Sequence, residues 1–168
     1  FESLLDLVGA FLRPSPLLWH YRSKDERLIA FSNRHIYDNT LVTFPGSGLE
    51  ERPLTGHVVP FREEAFESTR SGSDEVREVV ELVLRHAEDR PKESLGVIAL
   101  GSEHGRRLEA QLDQQLALRP DLEEFFDPAR RERFFIKNLE RVQGDERDAI
   151  ILSVGYAKDR AGNLPHRF

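Results

Sequence analysis

The sequence contains no cysteine, no methionine and a single tryptophan. Without thiols there is no disulfide framework, no thiolate metal site and no cysteine nucleophile. Long apolar runs are missing too: no stretch approaches the roughly 18 residues that a membrane span needs. Basic charge is in deficit, with 24 Lys and Arg against 30 Asp and Glu, for a formal net charge of −6. A surface that is basic on average is thereby excluded, although a local basic groove is not. The opening residues Phe1-Glu2-Ser3-Leu4-Leu5-Asp6 lack the basic start of a secretory signal. A cytoplasmic, membrane-free protein is the expectation.

What is present suffices for a core. The 168 residues are 39% hydrophobic and include 11 Phe, enough apolar surface to offset chain entropy and to form one domain spanning 1–168. The chain lacks Met even at position 1, and it stops at Pro165-His166-Arg167-Phe168 with no capping or turn signal. Both features give the expectation of a fragment of a longer polypeptide.

Helix-period and strand-like runs alternate. Residues 2–12 place Leu4, Leu5, Val8, Phe11 and Leu12 on one helical face, ended by Pro14 and Pro16. Leu17-Leu18-Trp19 reads as a short buried strand. Ser23 with Glu26 forms a capping box, which predicts a helix from Lys24 to about Tyr37 with Leu28, Ile29, Phe31, Ile36 and Tyr37 inward. A Gly/Pro-rich loop covers 45–56, a short strand His57–Phe61, and a second loop Ser68–Ser73. An amphipathic helix follows from Asp74 to about Asp89, with Val76, Val79, Val80, Val83 and Ala87 on its apolar face and Ser73 as N-cap.

Leu95–Leu100 is a continuous apolar run, as in a strand covered on both faces. A helix is predicted from about Glu103 to Leu118, broken by Pro120, then a helical turn over Asp121–Phe126. Phe134–Lys137 and Ala149–Val154 are two further buried-strand candidates. Strands separated by long helices predict an α/β fold with a mainly parallel sheet.

Self-sufficient catalytic motifs are absent. There is no phosphate-binding G-x-x-x-x-G-K-[ST] loop, no G-x-G-x-x-G and no G-x-S-x-G. The six histidines form no H-E-x-x-H pair, so no metal site is expected. The many carboxylates lie mostly on helix faces rich in opposite charge, where solvated surface is the favoured reading. Two segments stand out. His20-Tyr21-Arg22-Ser23 falls where a strand ends and a helix begins, the end of a parallel sheet where ligands bind. There Arg22 could aim its fork at phosphate oxygens and Tyr21 offer a flat face to a base. The plainer alternative, a Tyr closing the core and an Arg paired with a helix carboxylate, is favoured by spacing alone. The second segment, Leu139 to Asp148, joins two strands. Gly144 allows a positive φ or close backbone approach, and Glu146 could accept hydrogen bonds from sugar hydroxyls. An ordinary polar turn is the alternative there.

Taken in order, the segments resemble a known family. L-L-W-H-Y-R-S-K-D-E-R-L-I-A-F-S-N-R-H-I-Y, Leu17 to Tyr37, resembles the Y-R segment opening the second RecA-like lobe of superfamily 1 helicases. F-F-I-K-N-L-E-R-V-Q-G-D-E-R-D-A-I-I-L-S-V-G-Y, Phe134 to Tyr156, is similar to their motif V with the Q-G-x-E core intact. S-L-G-V-I-A-L-G-S-E-H-G-R-R-L-E-A-Q-L, Ser94 to Leu112, is similar to the strand and helix between. The resemblance covers nearly the whole chain and is nearest to large bacterial helicase-like proteins carrying a Vsr-type endonuclease-like domain.

The resemblance implies a RecA-like three-layer sandwich and a set of roles. Tyr21 matches the tyrosine that stacks on adenine, and Arg22 the catalytic arginine that reaches the γ-phosphate. Gln143, Gly144 and Glu146 match nucleotide-facing positions, with Glu146 on the ribose. Asn138 stands where relatives carry Ser or Thr on the single-strand backbone. Gly101 and Ser102 match further strand contacts, but here the Thr-Pro-Tyr-like strand ending is absent and His104 replaces a frequent Gln. The implied cofactor is ATP with Mg2+, bound mainly on a first RecA-like lobe upstream. The implied partners are that lobe and single-stranded nucleic acid, DNA rather than RNA. The fragment alone is expected to be inactive. The alternative function is a degenerate lobe that serves as a nucleic-acid or protein binding platform without ATPase activity.

Overall fold

The structure, a computed structural model, describes residues 3–13, 15–46, 53–60 and 73–156. The chain divides into two compact units, Phe1–His57 and Val58–Phe168. Pro14, part of the expected 45–56 loop, Phe61 and most of the Ser68–Ser73 loop lie outside the described residues.

In the first unit, helix α1 runs Leu4–Gly9, shorter than the predicted 2–12, and the Asp6 amide donates to the hydroxyl of its N-cap Ser3. Leu4, Phe11 and Leu12 are exposed. The predicted strand over Leu17-Leu18-Trp19 is reduced to a single parallel bridge between Trp19 and Val42, and Leu17 is 94% exposed.

The helix predicted over 24–37 is also corrected. A 3-10 turn, Glu26–Leu28, is followed by helix α2, Ala30–His35. The capping box fails because its hydroxyl is taken: Ser23 Oγ shares a 2.8 Å hydrogen bond with His20 Nε2. Asp25 caps instead. Its Oδ1 accepts from the Arg27 amide at 2.9 Å and from Arg27 Nε at 2.8 Å, and the guanidinium holds the carboxyl down to about 2. Leu28, Phe31, Ile36 and Tyr37 are exposed rather than inward. A turn with positive φ at Asp38 and Asn39 reverses the chain. The Asn33 amide then grips Leu41 on both sides, accepting from its N–H at 3.0 Å and donating to its carbonyl at 3.2 Å.

Residues 57–60, where the first unit gives way to the second, are irregular and Val58 is exposed, so the predicted strand there is absent over its described part. Helix α3 spans Ser73–Asp89, one residue earlier than expected, with Asp74 and Glu75 in the first turn and His86 in the last, the order the helix dipole favours. Strand β1 (Leu95–Ala99) leads into helix α4 (Ser102–Leu116). A 3-10 turn at Pro120–Leu122 and the short helix α5 (Glu123–Phe126) follow, then strands β2 (Phe135–Asn138) and β3 (Ala149–Ser153). The sheet is parallel with order β2-β1-β3. The fold is thus mixed α/β with a small three-stranded parallel sheet.

Register fixes which residues share a face. Leu95, Val97 and Ala99 align with Ile136 and with Ala149 and Ile151, and all of these meet the apolar stripe of α3 and of α4, where Val83 and Leu108 are sealed. Gly96, Ile98, Phe135, Lys137, Ile150 and Leu152 point to the other face. Ile150 and Leu152 are exposed there, so β3 alternates rather than being the buried strand expected. The cause is one-sided cover among the described residues: α3 and α4 pack on each other and on the same face of the sheet. On the other face the Phe135 ring lies over Gly96, and a Cβ added at Gly96 would come within 2.8 Å of Phe135 Cε2.

Candidate functional site

Tyr21 and Arg22 belong to the first unit. The Trp19–Val42 bridge holds the chain just before them, with the His20 amide donating to the Val42 carbonyl at 2.9 Å. The Ser23 amide donates to His20 Nε2, so the turn from 20 to 23 closes around the imidazole. This local fold keeps Tyr21 out of any core: its side chain is 82% exposed, and Arg22 is exposed beside it. The ring presents an open aromatic face and the neighbouring guanidinium a permanent positive charge.

In the second unit, Gly101, Ser102 and Asn138 collect at the carboxyl end of the sheet. Gly101 is the N-cap of α4 directly after β1, with extended backbone, and Ser102 is the exposed first residue of the helix. Asn138 ends β2 opposite Ala99. Its Oδ1 is buried and has no hydrogen-bond partner among the described residues. An unsatisfied buried polar group of this kind costs about 1–3 kcal/mol.

A polar cluster closes the same end. Ser153 Oγ donates to Glu75 Oε1 at 2.7 Å and lies 2.6 Å from His104 Nε2, from which it accepts. The Gly155 amide donates to the same Glu75 oxygen at 2.9 Å. His104 and Ser153 are buried. Burial pushes the His104 imidazole below its ordinary value and Arg107 adds to the shift, against the opposing pull of the Glu75 carboxylate. Gly155 has φ +68, and a Cβ there would sit 2.5 Å from His104 Cγ, so glycine is required twice over. The cluster ties the starts of α3 and α4 to the end of β3.

Gln143, Gly144 and Glu146 lie on the chain that returns from the end of β2 to the start of β3. A 3-10 turn at Leu139–Arg141 starts the reversal, and the Asp145 amide donates to the Val142 carbonyl at 3.0 Å. Gly144 carries the turn with φ +89, a conformation L side chains rarely adopt. Gln143, Gly144 and Glu146 are exposed. The segment then runs back along the face opposite the helices. Asp145 pairs with Lys137, the Arg147 guanidinium stacks 4.8 Å over the Phe135 ring, and Arg147 donates to the Arg133 carbonyl. Its end is locked at Asp148, whose Oδ2 accepts from the Ser94 amide at 3.0 Å and hydroxyl at 2.9 Å, while the Asp148 amide donates back to Ser94 Oγ at 3.0 Å.

The residues read from the sequence therefore form three groups. Tyr21 and Arg22 sit together on the first unit. Gly101, Ser102 and Asn138 share the carboxyl end of the sheet, and Gln143, Gly144 and Glu146 share the return segment. Sequence reading missed Glu75, Ser153, Ser94 and Asp148. Glu75 and Asp148 correct the view of the carboxylates as solvated surface, since both accept hydrogen bonds from distant backbone. Their partners lie far off in the sequence, so no local spacing announces them. Among the described residues, no helix is long and apolar enough to cross a membrane.

No protein-family model matches the chain, and no solved structure does. The chain is 37% identical over 153 residues, 88% of its length, to the uncharacterized ATP-dependent helicase MG140 of Mycoplasma genitalium. It is 34% identical over 152 residues, again 88% of its length, to the uncharacterized ATP-dependent helicase MG140 homolog of Mycoplasma pneumoniae. It spans 13% of the length of each of these relatives. The likeness relates the chain to a segment of proteins that carry the helicase name.

Proposed function

We propose, from this relationship to proteins named ATP-dependent helicases, that the chain is the second RecA-like motor lobe of a superfamily 1 helicase or translocase. The observation that carries the reading is a likeness of 34–37% identity over 88% of the chain to proteins named ATP-dependent helicases. The parent chain would hydrolyse ATP, with Mg2+ and the triphosphate held mainly by a first lobe. A second helical layer over the face that carries Ile150 and Leu152 would complete the three-layer sandwich.

In this reading each group of residues has a task. Tyr21 stacks on the base, which its open ring face suits. Arg22 meets the γ-phosphate, where a permanent fork-shaped cation stabilises charge that develops during phosphoryl transfer; comparable arginines are worth roughly 10³–10⁵ in rate. Glu146 accepts from the ribose hydroxyls, and the Gly144 turn lets Gln143 and Glu146 approach the nucleotide. Asn138, at the end of β2, would contribute its side-chain amide N–H to a backbone phosphate. Gly101 and Ser102 add backbone and hydroxyl donors at the same end of the sheet. The strand would be single-stranded DNA rather than RNA, and the setting the cytoplasm.

The test is nucleic-acid-stimulated ATP hydrolysis by the parent chain beside Arg22→Ala. Stimulated turnover that falls at least a hundredfold in the variant, with nucleotide binding retained, is the expected result. A parent that binds a single strand yet hydrolyses nothing would replace the motor with a binding platform.

A further inference from the structure

Outside the groups assigned above, a cavity of about 310 Å3 opens at the outer side of β2. It is lined by Arg133, Lys137 and Arg147 together with Asp145, and by the aromatic rings of Phe126 and Phe134. Three cations against one carboxylate make a local positive field on a chain whose net charge is −6. The cations converge: Lys137 pairs with Asp145 and lies 5.0 Å over the Phe135 ring, and Arg147 lies 4.8 Å over the same ring. The Asp145 carboxyl is held below its ordinary range by the Lys137 hydrogen bond first, and by the charges of Arg147 and Arg133 as well. Arg147 is fixed by its bonds to the Arg133 and Glu146 carbonyls, so its remaining N–H groups need no ordering to meet an anion. Phe126 and Phe134 stand edge to face at 5.1 Å and are half-buried, which leaves ring surface at the cavity wall.

We propose that this cavity is a phosphate site for single-stranded nucleic acid, taking a backbone phosphate on Arg133, Lys137 and Arg147 with a base against the Phe134–Phe126 pair. The proposal rests on the helicase reading for the presence of a strand. Two features favour a strand over a free nucleotide. Among the described residues β2 is an edge strand, and Lys137 and Arg147 gather on the sheet face beside it, where an extended polymer can pass. Cations interleaved with aromatic rings are also the combination that holds single strands without regard to sequence. Because Asp145 and Arg147 flank Glu146, a strand seated here would press on the return segment that carries the nucleotide-facing residues.

The experiment uses the parent chain and a fluorescent oligothymidylate, titrated between about 50 and 200 mM salt. Arg133→Gln combined with Lys137→Gln is expected to weaken binding roughly tenfold at the lower salt. It should also flatten the log–log salt slope by about 0.7 for each phosphate that is no longer neutralised. Arg133→Gln alone alters only an exposed side chain and should weaken binding about threefold, with Arg133→Lys restoring most of it. Unchanged affinity and slope in a parent that binds the oligonucleotide would overturn the site and leave the helicase reading standing. Variants that lose pyrophosphate or poly-glutamate binding while keeping the oligonucleotide would also overturn it, in favour of a nucleotide or an acidic protein. A parent that binds no strand at any salt would bring down the helicase reading and this site together.

Discussion

Ser153 satisfies Glu75 and His104 at once, and that places a titratable ring where charge is costly. The native imidazole holds its proton less tightly than in the unfolded chain, whose value is about 6.5. Protonation therefore favours unfolding: stability is full above about pH 6.5 and declines as pH falls through and below it. Urea unfolding at pH 7.5 and 5.5 should show a lower midpoint at the acid pH. His104→Gln, which keeps a donor toward Ser153, should narrow that difference; an equal difference in the variant would assign it elsewhere. Sequence reading marked His104 only as a residue in an unusual position. Its partners come from the first turn of α3 and the last residue of β3, and nothing in the spacing of those residues joins them. The exposed members of the candidate site were easier to read. Tyr21, Arg22 and Glu146 are singled out by the resemblance rather than by spacing, and Gly144 by its type as well, because the positive φ it carries selects glycine.

Elements whose partners are apolar and periodic were legible. The Val76–Val79–Val80–Val83–Ala87 stripe of α3 and the run of β1 are where the pattern puts them, because burial against one sheet face enforces the period. The same packing sets a contrast in α4. Leu108 is 0% exposed, and Leu108→Ala should cost about 2–5 kcal/mol in urea unfolding. Leu118, just past the helix, is 74% exposed, and its alanine variant should stay within about 0.5 kcal/mol of the parent sequence. A large loss at Leu118 would contradict the described packing. The 24–37 segment was misread for a local reason. Two capping systems compete there, and the Asp25–Arg27 pair wins because His20 already engages Ser23. β3 was misread for a distant one: an apolar run does not say whether its second face is covered.

For the whole molecule, charge and length set the expectations. With a net charge of −6, any strand binding by the 168-residue chain depends on small groups of local cations and amides rather than on a basic surface. Its affinity for a single strand should be weak and should fall steeply with added salt; equal affinity at low and high salt would exclude phosphate contacts as its source. The grouping of the site was the least legible property at this scale, since which residues share an end or a face of the sheet follows from strand order and not from motif order. That order has a further consequence for synthesis. β1 is the central strand but the first of the three to be made, and its neighbours emerge only with Phe135 and Ala149. Until then an apolar strand leaves the ribosome without its two described neighbours, the state in which nascent chains associate with one another. Non-local closure of this kind is also slow. A chain cut ahead of Ala149 would lack the β3 partner of β1 for good, so such truncated products should collect in aggregates while the 168-residue chain stays dispersed.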